Sequence, residues 1–124
     1  MARDTQKRKA VVAIGETFFD AFAQLKQSQA QKKTQLFMRK FRQDPYGNGL
    51  NLEKLGRDMN GFLSARISDR LRAIIFKPEN EDVFLLLWVD DHDPAYNWAR
   101  RHVCSLNKFT GSLQVYETLT VGEP

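Results

Sequence analysis

Val83-Phe84-Leu85-Leu86-Leu87-Trp88-Val89 is apolar at odd and even positions alike. Side chains alternate between the two faces of a strand, so this run has no polar face to give to water. It belongs at the centre of a sheet that is covered on both sides. Working upstream, Pro78-Glu79-Asn80-Glu81-Asp82 marks a turn, and Arg70 to Lys77 reads as a second strand before it. Ser68-Asp69 makes a tight connection to a third, Phe62 to Ile67. There Leu63, Ala65 and Ile67 point one way, and Ser64 and Arg66 the other. Residues 62–89 therefore form a three-stranded antiparallel meander.

The sequence before the meander has helical periodicity. Phe18, Phe22 and Leu25 recur at i, i+4 and i+7, with Phe19 beside them, which predicts a helix from Glu16 to about Lys26 with one wide apolar face. Glu16 in its first turn suits the helix dipole. Ser28 is positioned to cap a second helix from Gln29 to about Gln43. Ala30, Thr34, Phe37, Met38 and Phe41 lie on its apolar stripe; Lys32, Lys33, Arg39, Lys40 and Arg42 fall largely off it. Asp44-Pro45 stops the helix, because the residue before proline avoids the α region. Ala10 to Ile14 reads as a short first strand ending at Gly15. Leu50 to Leu55 alternates like a strand yet is short enough for a helical turn, and Arg57 to Gly61 reads as a turn.

Downstream, Asp93-Pro94 reads as N-cap and first residue of a short helix, with Arg100 and Arg101 in its last turn. Val103 to Leu106 and Ser112 to Tyr116 suit a closing hairpin around Asn107 to Gly111. The expected class is α+β: a two-helix hairpin on a mainly antiparallel sheet, then a short helix and a closing β-hairpin. Residues 1–9 read as a basic tail, 10–116 as one domain and 117–124 as an exit linker.

Composition narrows the function classes. Of 124 residues, 42% are hydrophobic, and nine Phe, two Trp and three Tyr suffice for a core without staples. The single Cys104 excludes an intrachain disulfide and a cysteine-based zinc site, and suits a reducing cytoplasm. No apolar run approaches the roughly 20 residues that span a bilayer, and the charged start is followed by no signal-type stretch. Residues 1–42 carry ten Lys/Arg against three Asp/Glu, whereas residues 43–124 carry nine against twelve. A basic first third attracts phosphate backbones or an acidic protein, and equally describes a solvated helix face.

The strings Ser64-Ala65-Arg66-Ile67-Ser68-Asp69-Arg70-Leu71-Arg72-Ala73-Ile74-Ile75 and Val83 through His92-Asp93-Pro94-Ala95-Tyr96 resemble the RelE/ParE toxin superfamily over about residues 10–100. A narrower resemblance rests on Leu50-Asn51-Leu52-Glu53-Lys54-Leu55, on Leu85 through Ala99, and on Asn107-Lys108-Phe109-Thr110-Gly111-Ser112-Leu113-Gln114-Val115. These look like the RelE-like domain that precedes the motor in certain UvrD/Rep-type superfamily 1 DNA helicases. This second resemblance includes the closing hairpin, which ordinary RelE toxins lack. It implies that the chain is the N-terminal piece of a longer protein. The chain itself carries no G-x-x-x-x-G-K-[ST] loop, so ATPase or helicase activity would lie beyond residue 124.

The resemblance also implies site residues. Arg72 matches the arginine that stabilises charge at the scissile phosphate in RelE-type endoribonucleases, a task suited to a permanently charged bidentate fork. The plainer reading is a strand arginine paired with an acidic neighbour. Tyr96 matches the tyrosine that acts on the 2′-hydroxyl or stacks on a base, or else it packs on the sheet. His92 is a candidate general acid or base, or a turn histidine bonded locally. Arg66 and Arg70 flank the Ser68-Asp69 turn and, with Arg72, form an expected basic patch that binds phosphates without cutting them. Lys32, Lys33, Arg39 and Lys40 extend the expected nucleic-acid surface.

One departure bears on catalysis. Many RelE toxins carry Arg or Lys after the last central strand, and this chain carries Asp90, Asp91 and Asp93. Carboxylates there repel a phosphate substrate. Contiguous ligands rarely reach one ion, so no metal is expected at Asp90, Asp91, His92 and Asp93, and no cofactor in this domain. The leading expectation is a non-catalytic accessory domain of a helicase that binds DNA, RNA or a partner, the attached motor included. The alternative is a RelE/ParE-group toxin, either a ribosome-dependent mRNA endonuclease or a gyrase inhibitor, held by an acidic antitoxin.

Overall fold

In the computed structural model, residues 10–56, 59–106, 109–110 and 112–117 are described. The basic tail 1–9, Arg57-Asp58 of the expected turn, Asn107, Lys108 and Gly111 of the hairpin loop, and the linker residues 118–124 lie outside them. The elements run β1 (Val11–Ile14), α1 (Glu16–Gln24), α2 (Ser28–Gln43), a 3-10 turn (Asn48–Leu50), β2 (Leu52–Lys54), β3 (Leu63–Arg66), β4 (Leu71–Phe76), β5 (Val83–Asp91), α3 (His92–Arg101), β6 (His102–Leu106) and β7 (Leu113–Glu117). Five strands form one sheet in the order β1-β5-β4-β3-β2, and β6-β7 form a separate hairpin. β1 runs parallel to β5, and every other pairing is antiparallel.

The meander read from residues 62–89 is β3-β4-β5; the middle strand of the sheet is β4, and β5 is interior, between β1 and β4, and covered on both faces as its two apolar faces require. Phe84, Leu86 and Val89 pack under α1 and α2 with Phe18, Phe37 and Phe41. Leu85 and Leu87 pack under α3 with Ala95, Trp98 and Ala99. Strict alternation breaks at a bulge: Ile74 opposes Trp88 and Ile75 opposes Leu86, leaving Leu87 without a partner on β4. The Leu87 carbonyl is met by the Thr17 hydroxyl at 2.5 Å, which ties α1 to the bulge. Gly15 lets the chain turn from β1 into α1 against β5. A Cβ there would lie 3.1 Å from Leu87 Cδ2 and 3.3 Å from the Leu86 carbonyl oxygen.

The stripe expected on α2 is buried at Thr34, Phe37 and Phe41, and Thr34 satisfies its hydroxyl on the Ala30 carbonyl at 2.8 Å. Several boundaries differ from the sequence reading. Ser28 is the first residue of α2 and not its cap; Gln27 holds that place, with no side-chain bond. Phe19 lies outside the α1 core face and is 55% exposed, because Phe18 and Ala21 take the buried positions. The ambiguous segment 50–55 supplies a strand: Leu52–Lys54 pairs with β3 as the far edge of the sheet. β5 continues past Val89, since Asp90 and Asp91 stay in register with Arg72 and Leu71. That extension moves the start of α3. Asp91 occupies its N-cap, His92 is helical, and Asp93 and Pro94 lie inside the first turn. Proline is tolerated there because the first four helical N–H groups have no partner within the helix. None of the described helices is long and apolar enough to cross a membrane.

Candidate functional site at the ends of the central strands

The antiparallel register sets Arg66, Arg72 and Asp90 side by side across β3, β4 and β5. Opposed residues share a face, and Ser64, two positions from Arg66, lies on it too. The Ser64 hydroxyl stands 3.3 Å from the Tyr96 hydroxyl, which brings α3 over this end of the sheet. One turn earlier on α3, the His92 ring stacks on Tyr96 with centroids 4.1 Å apart. Arg66, Arg72, Tyr96 and His92 thus share one corner of the molecule. Ser64 belongs to it as well; only its spacing from Arg66 marked it in the sequence.

The charged groups at this corner are engaged. Arg72 Nη1 donates to the carbonyls of Ser68 at 2.8 Å, Leu71 at 3.0 Å and Asp69 at 3.3 Å, so it clasps the β3–β4 turn. Arg66 Nη2 bonds the Asp69 carboxylate at 2.8 Å, and Arg70 Nη2 reaches Asp91 at 3.3 Å. Both pairs are largely exposed and contribute little to stability. Asp90 accepts the backbone N–H of Asp91 at 2.8 Å. His92 Nδ1 lies 2.8 Å from the Asp93 carboxylate. Like charges directly opposed across a ladder repel. Arg66 and Arg72 meet that problem by turning to Asp69 and to the turn carbonyls. Among the described residues, no three of His, Cys, Asp and Glu converge to hold a metal ion.

Two clefts adjoin the β3–β4 turn. One, of about 460 Å³, lies between the α1–α2 connection and the turn and is lined by Lys26, Lys33, Arg70, Asp90 and Asp91 among others. The second, of about 360 Å³, lies along α2 and is lined by Lys33, Leu36, Phe37, Lys40, Arg66 and Ile67 among others. They share Lys33, Ser68 and Asp69. Of the residues expected to bind nucleic acid, Lys33 lines both adjoining clefts, Arg70 the first, and Lys40 and Arg66 the second. Lys32 and Arg39 are exposed on α2 and line neither cleft. Arg72 is committed to the turn.

α3 is fixed from behind by Asn60, which the sequence reading placed only in a turn. Its side-chain amide donates to the carbonyls of His102 at 2.7 Å, Ala99 at 3.2 Å and Arg100 at 3.4 Å, satisfying the helix C-terminus from a distant loop. Trp98 stacks between Trp88 at 5.3 Å and His102 at 4.0 Å. Cys104 is buried beneath α3, and burial pushes its thiol up to about 12, far from nucleophilic use.

A two-helix hairpin laid on a meander, with a short helix over the other face, has counterparts among solved structures. The YoeB/ParE toxin from Agrobacterium tumefaciens is 18% identical with a TM-score of 0.51, over 66% of this chain and 98% of that one. The fold is that of the RelE/ParE toxins. A chain of the toxin-antitoxin complex RelBE2 from Mycobacterium tuberculosis matches this one at 18% identity and TM-score 0.53, over 67% of this chain and 98% of that one. The archaeal RelE-RelB complex from Pyrococcus horikoshii OT3 matches at 18% and 0.51, over 69% and 98%. At this identity the likeness is one of fold. The RelE/ParE-like part accounts for about two thirds of this chain. No family model matches the sequence, and no curated protein does.

Proposed function

We propose that this chain is a RelE/ParE-group toxin that acts by binding and not by cutting RNA, and that an acidic antitoxin segment restrains it. The observation that carries the reading is the engagement of the arginines. Arg72 donates to three turn carbonyls and Arg66 to Asp69, while Asp90, Asp91 and Asp93 crowd the same corner. A phosphodiester cleaved there would meet few uncommitted cations and several carboxylates, the reverse of what developing negative charge requires. Within the group, that favours the gyrase-inhibitor type over the mRNA endonuclease type. Two solved structures with this fold are toxin–antitoxin complexes, which supports an antitoxin partner. The cleft along α2, where Lys33 and Lys40 stand beside the apolar Leu36, Phe37 and Ile67, supports a docking place for such an acidic segment.

A second reading keeps the non-cutting chemistry and changes the context: an accessory domain ahead of a UvrD/Rep-type helicase motor. The β6–β7 hairpin favours it, being the part of the sequence that sets the helicase-linked resemblance apart from ordinary RelE toxins. Inducible expression of the chain in bacteria separates the two. The toxin reading expects growth arrest with mRNA intact, relieved by the antitoxin encoded beside it. Unimpaired growth, with a Walker loop continuing the reading frame, supports the helicase reading. Arrest accompanied by mRNA cleavage overturns both.

A further inference from the structure

We propose that the outward face of α2 docks on the phosphate backbone of duplex DNA. The helix is 16 residues long, Ser28–Gln43, and contains no Asp or Glu. Lys32, Lys33, Arg39, Lys40 and Arg42 are all exposed on it. Among the described residues, none of these five side chains is in an ion pair or a hydrogen bond. Helical spacing sets Lys32, Leu36 and Arg39 in one row, at i, i+4 and i+7, opposite the buried Thr34, Phe37 and Phe41. Lys33 and Lys40 lie beside that row on the flank facing the β3–β4 turn, where both line the cleft along the helix.

Charge and chemistry select the occupant. Unpaired cations on one helix, with no carboxylate among them, attract an anionic surface. A protein partner fits this face poorly. The cores of protein interfaces are depleted of Lys and built on apolar anchors, and Leu36 is the one large hydrophobic side chain exposed on α2. Single-stranded nucleic acid is held by aromatic rings on which its bases stack, and the rings of this helix, Phe37 and Phe41, are turned into the core. What remains is a rod about 24 Å long that offers charge to phosphates and no stacking surface to bases.

The spacing suits B-form DNA. Lys32-Lys33 and Arg39-Lys40 are two cation pairs roughly 10 Å apart along the helix axis. The minor groove of B-DNA is about 6 Å wide, so the two pairs reach phosphates on its opposite rims. The minor groove of duplex RNA is wide and shallow and sets those rims farther apart. Contacts of this kind position the chain without reading sequence. They do not depend on whether the chain is a toxin or an accessory domain, although an acidic segment seated in the cleft along α2 would compete for Lys33 and Lys40.

Fluorescence anisotropy of a labelled DNA duplex of about 20 base pairs, titrated with the full chain at roughly 25 to 200 mM KCl, tests this. Contact with about four to five phosphates predicts a slope of log affinity against log salt of about −3.6 to −4.5. Lys32→Gln and Arg39→Gln are each expected to weaken binding ~3- to 10-fold at low salt and to flatten the slope by about 1, and the double variant to flatten it by about 2. Lys54→Gln, which removes the same charge from the exposed edge strand β2, is expected to leave the slope unchanged. All three positions are exposed, so circular dichroism of the variants is expected to match that of the native chain. Duplex DNA is expected to bind ~3-fold or more tighter than single-stranded DNA or duplex RNA of equal length. No binding at the lowest salt, a slope indifferent to both α2 variants, or no preference for duplex DNA over the other two overturns the proposal.

Discussion

Replacing Arg72 separates a structural clasp from a phosphate ligand. Arg72 Nη1 serves three turn carbonyls, two of them at 3.0 Å or less. Hydrogen bonds from a charged donor stabilise by roughly 1.5–3 kcal/mol each when well made and shielded. Here one nitrogen is shared among three acceptors beside solvent, and the carbonyls regain water once it is gone. Loss of Arg72 also relieves its repulsion with Arg66 across the ladder. These offsets bring the net cost of Arg72→Ala to about 1–2 kcal/mol. For a chain of 124 residues that corresponds to a fall in Tm of about 4–8 °C. Arg72→Met keeps the aliphatic stem and is expected to cost nearly as much, since the donors carry the effect. Urea denaturation with linear extrapolation, run beside a thermal melt, reads both. A change below about 0.5 kcal/mol for both variants would refute the clasp, as would a loss of RNA cleavage without loss of stability.

Asn60→Ala is expected to cost about 2–3 kcal/mol, because it removes the bonds to the α3 C-terminus and strains a residue at φ 57°; Asn60→Gly, which relieves the backbone, is expected to cost about half as much in the same denaturation assay. Tyr96→Phe loses only a 3.3 Å contact to Ser64 and is expected to cost less than about 1 kcal/mol, with the stack on His92 kept. The Cys104 thiol, raised from 9.0 to about 12 by burial, is expected to resist alkylation at neutral pH until the protein unfolds. Its raised value also fixes a sign. The unfolded thiol ionises from about pH 9 while the folded one holds its proton, so stability is full below that pH and falls between 9 and about 12. The slope approaches about 1.4 kcal/mol per pH unit, and a Cys104→Ala variant is expected to lack that component.

The parts of the fold legible in the sequence were those with a strong period. Phe37 and Phe41 on one helical stripe, the alternation of Leu63 and Ala65, and the doubly apolar Phe84 to Val89 each allow one arrangement. Boundaries were less legible. Asp93-Pro94 has the composition of a helix start, but cross-strand register with Arg72 and Leu71 holds Asp90 and Asp91 in β5 and moves the cap to Asp91. β2 was ambiguous because three residues show no period; its strand state comes from pairing with β3. At the site, the clustering of Arg66, Arg72, Tyr96 and His92 followed from strand order. What Arg72 bonds did not, since the carbonyls it clasps belong to backbone geometry in the Ser68-Asp69 turn. Asn60 was hidden for the same reason: its partners lie about 40 positions along the chain, at the end of α3.

The most direct test of a binding, non-cutting domain is a translation reaction supplied with the purified full chain and read by primer extension along the mRNA. The account predicts full-length transcripts at every protein concentration, for the native chain as for Arg72→Ala. Discrete cleavage that disappears with Arg72→Ala or Tyr96→Phe, in proteins shown by denaturation to be folded, would contradict it.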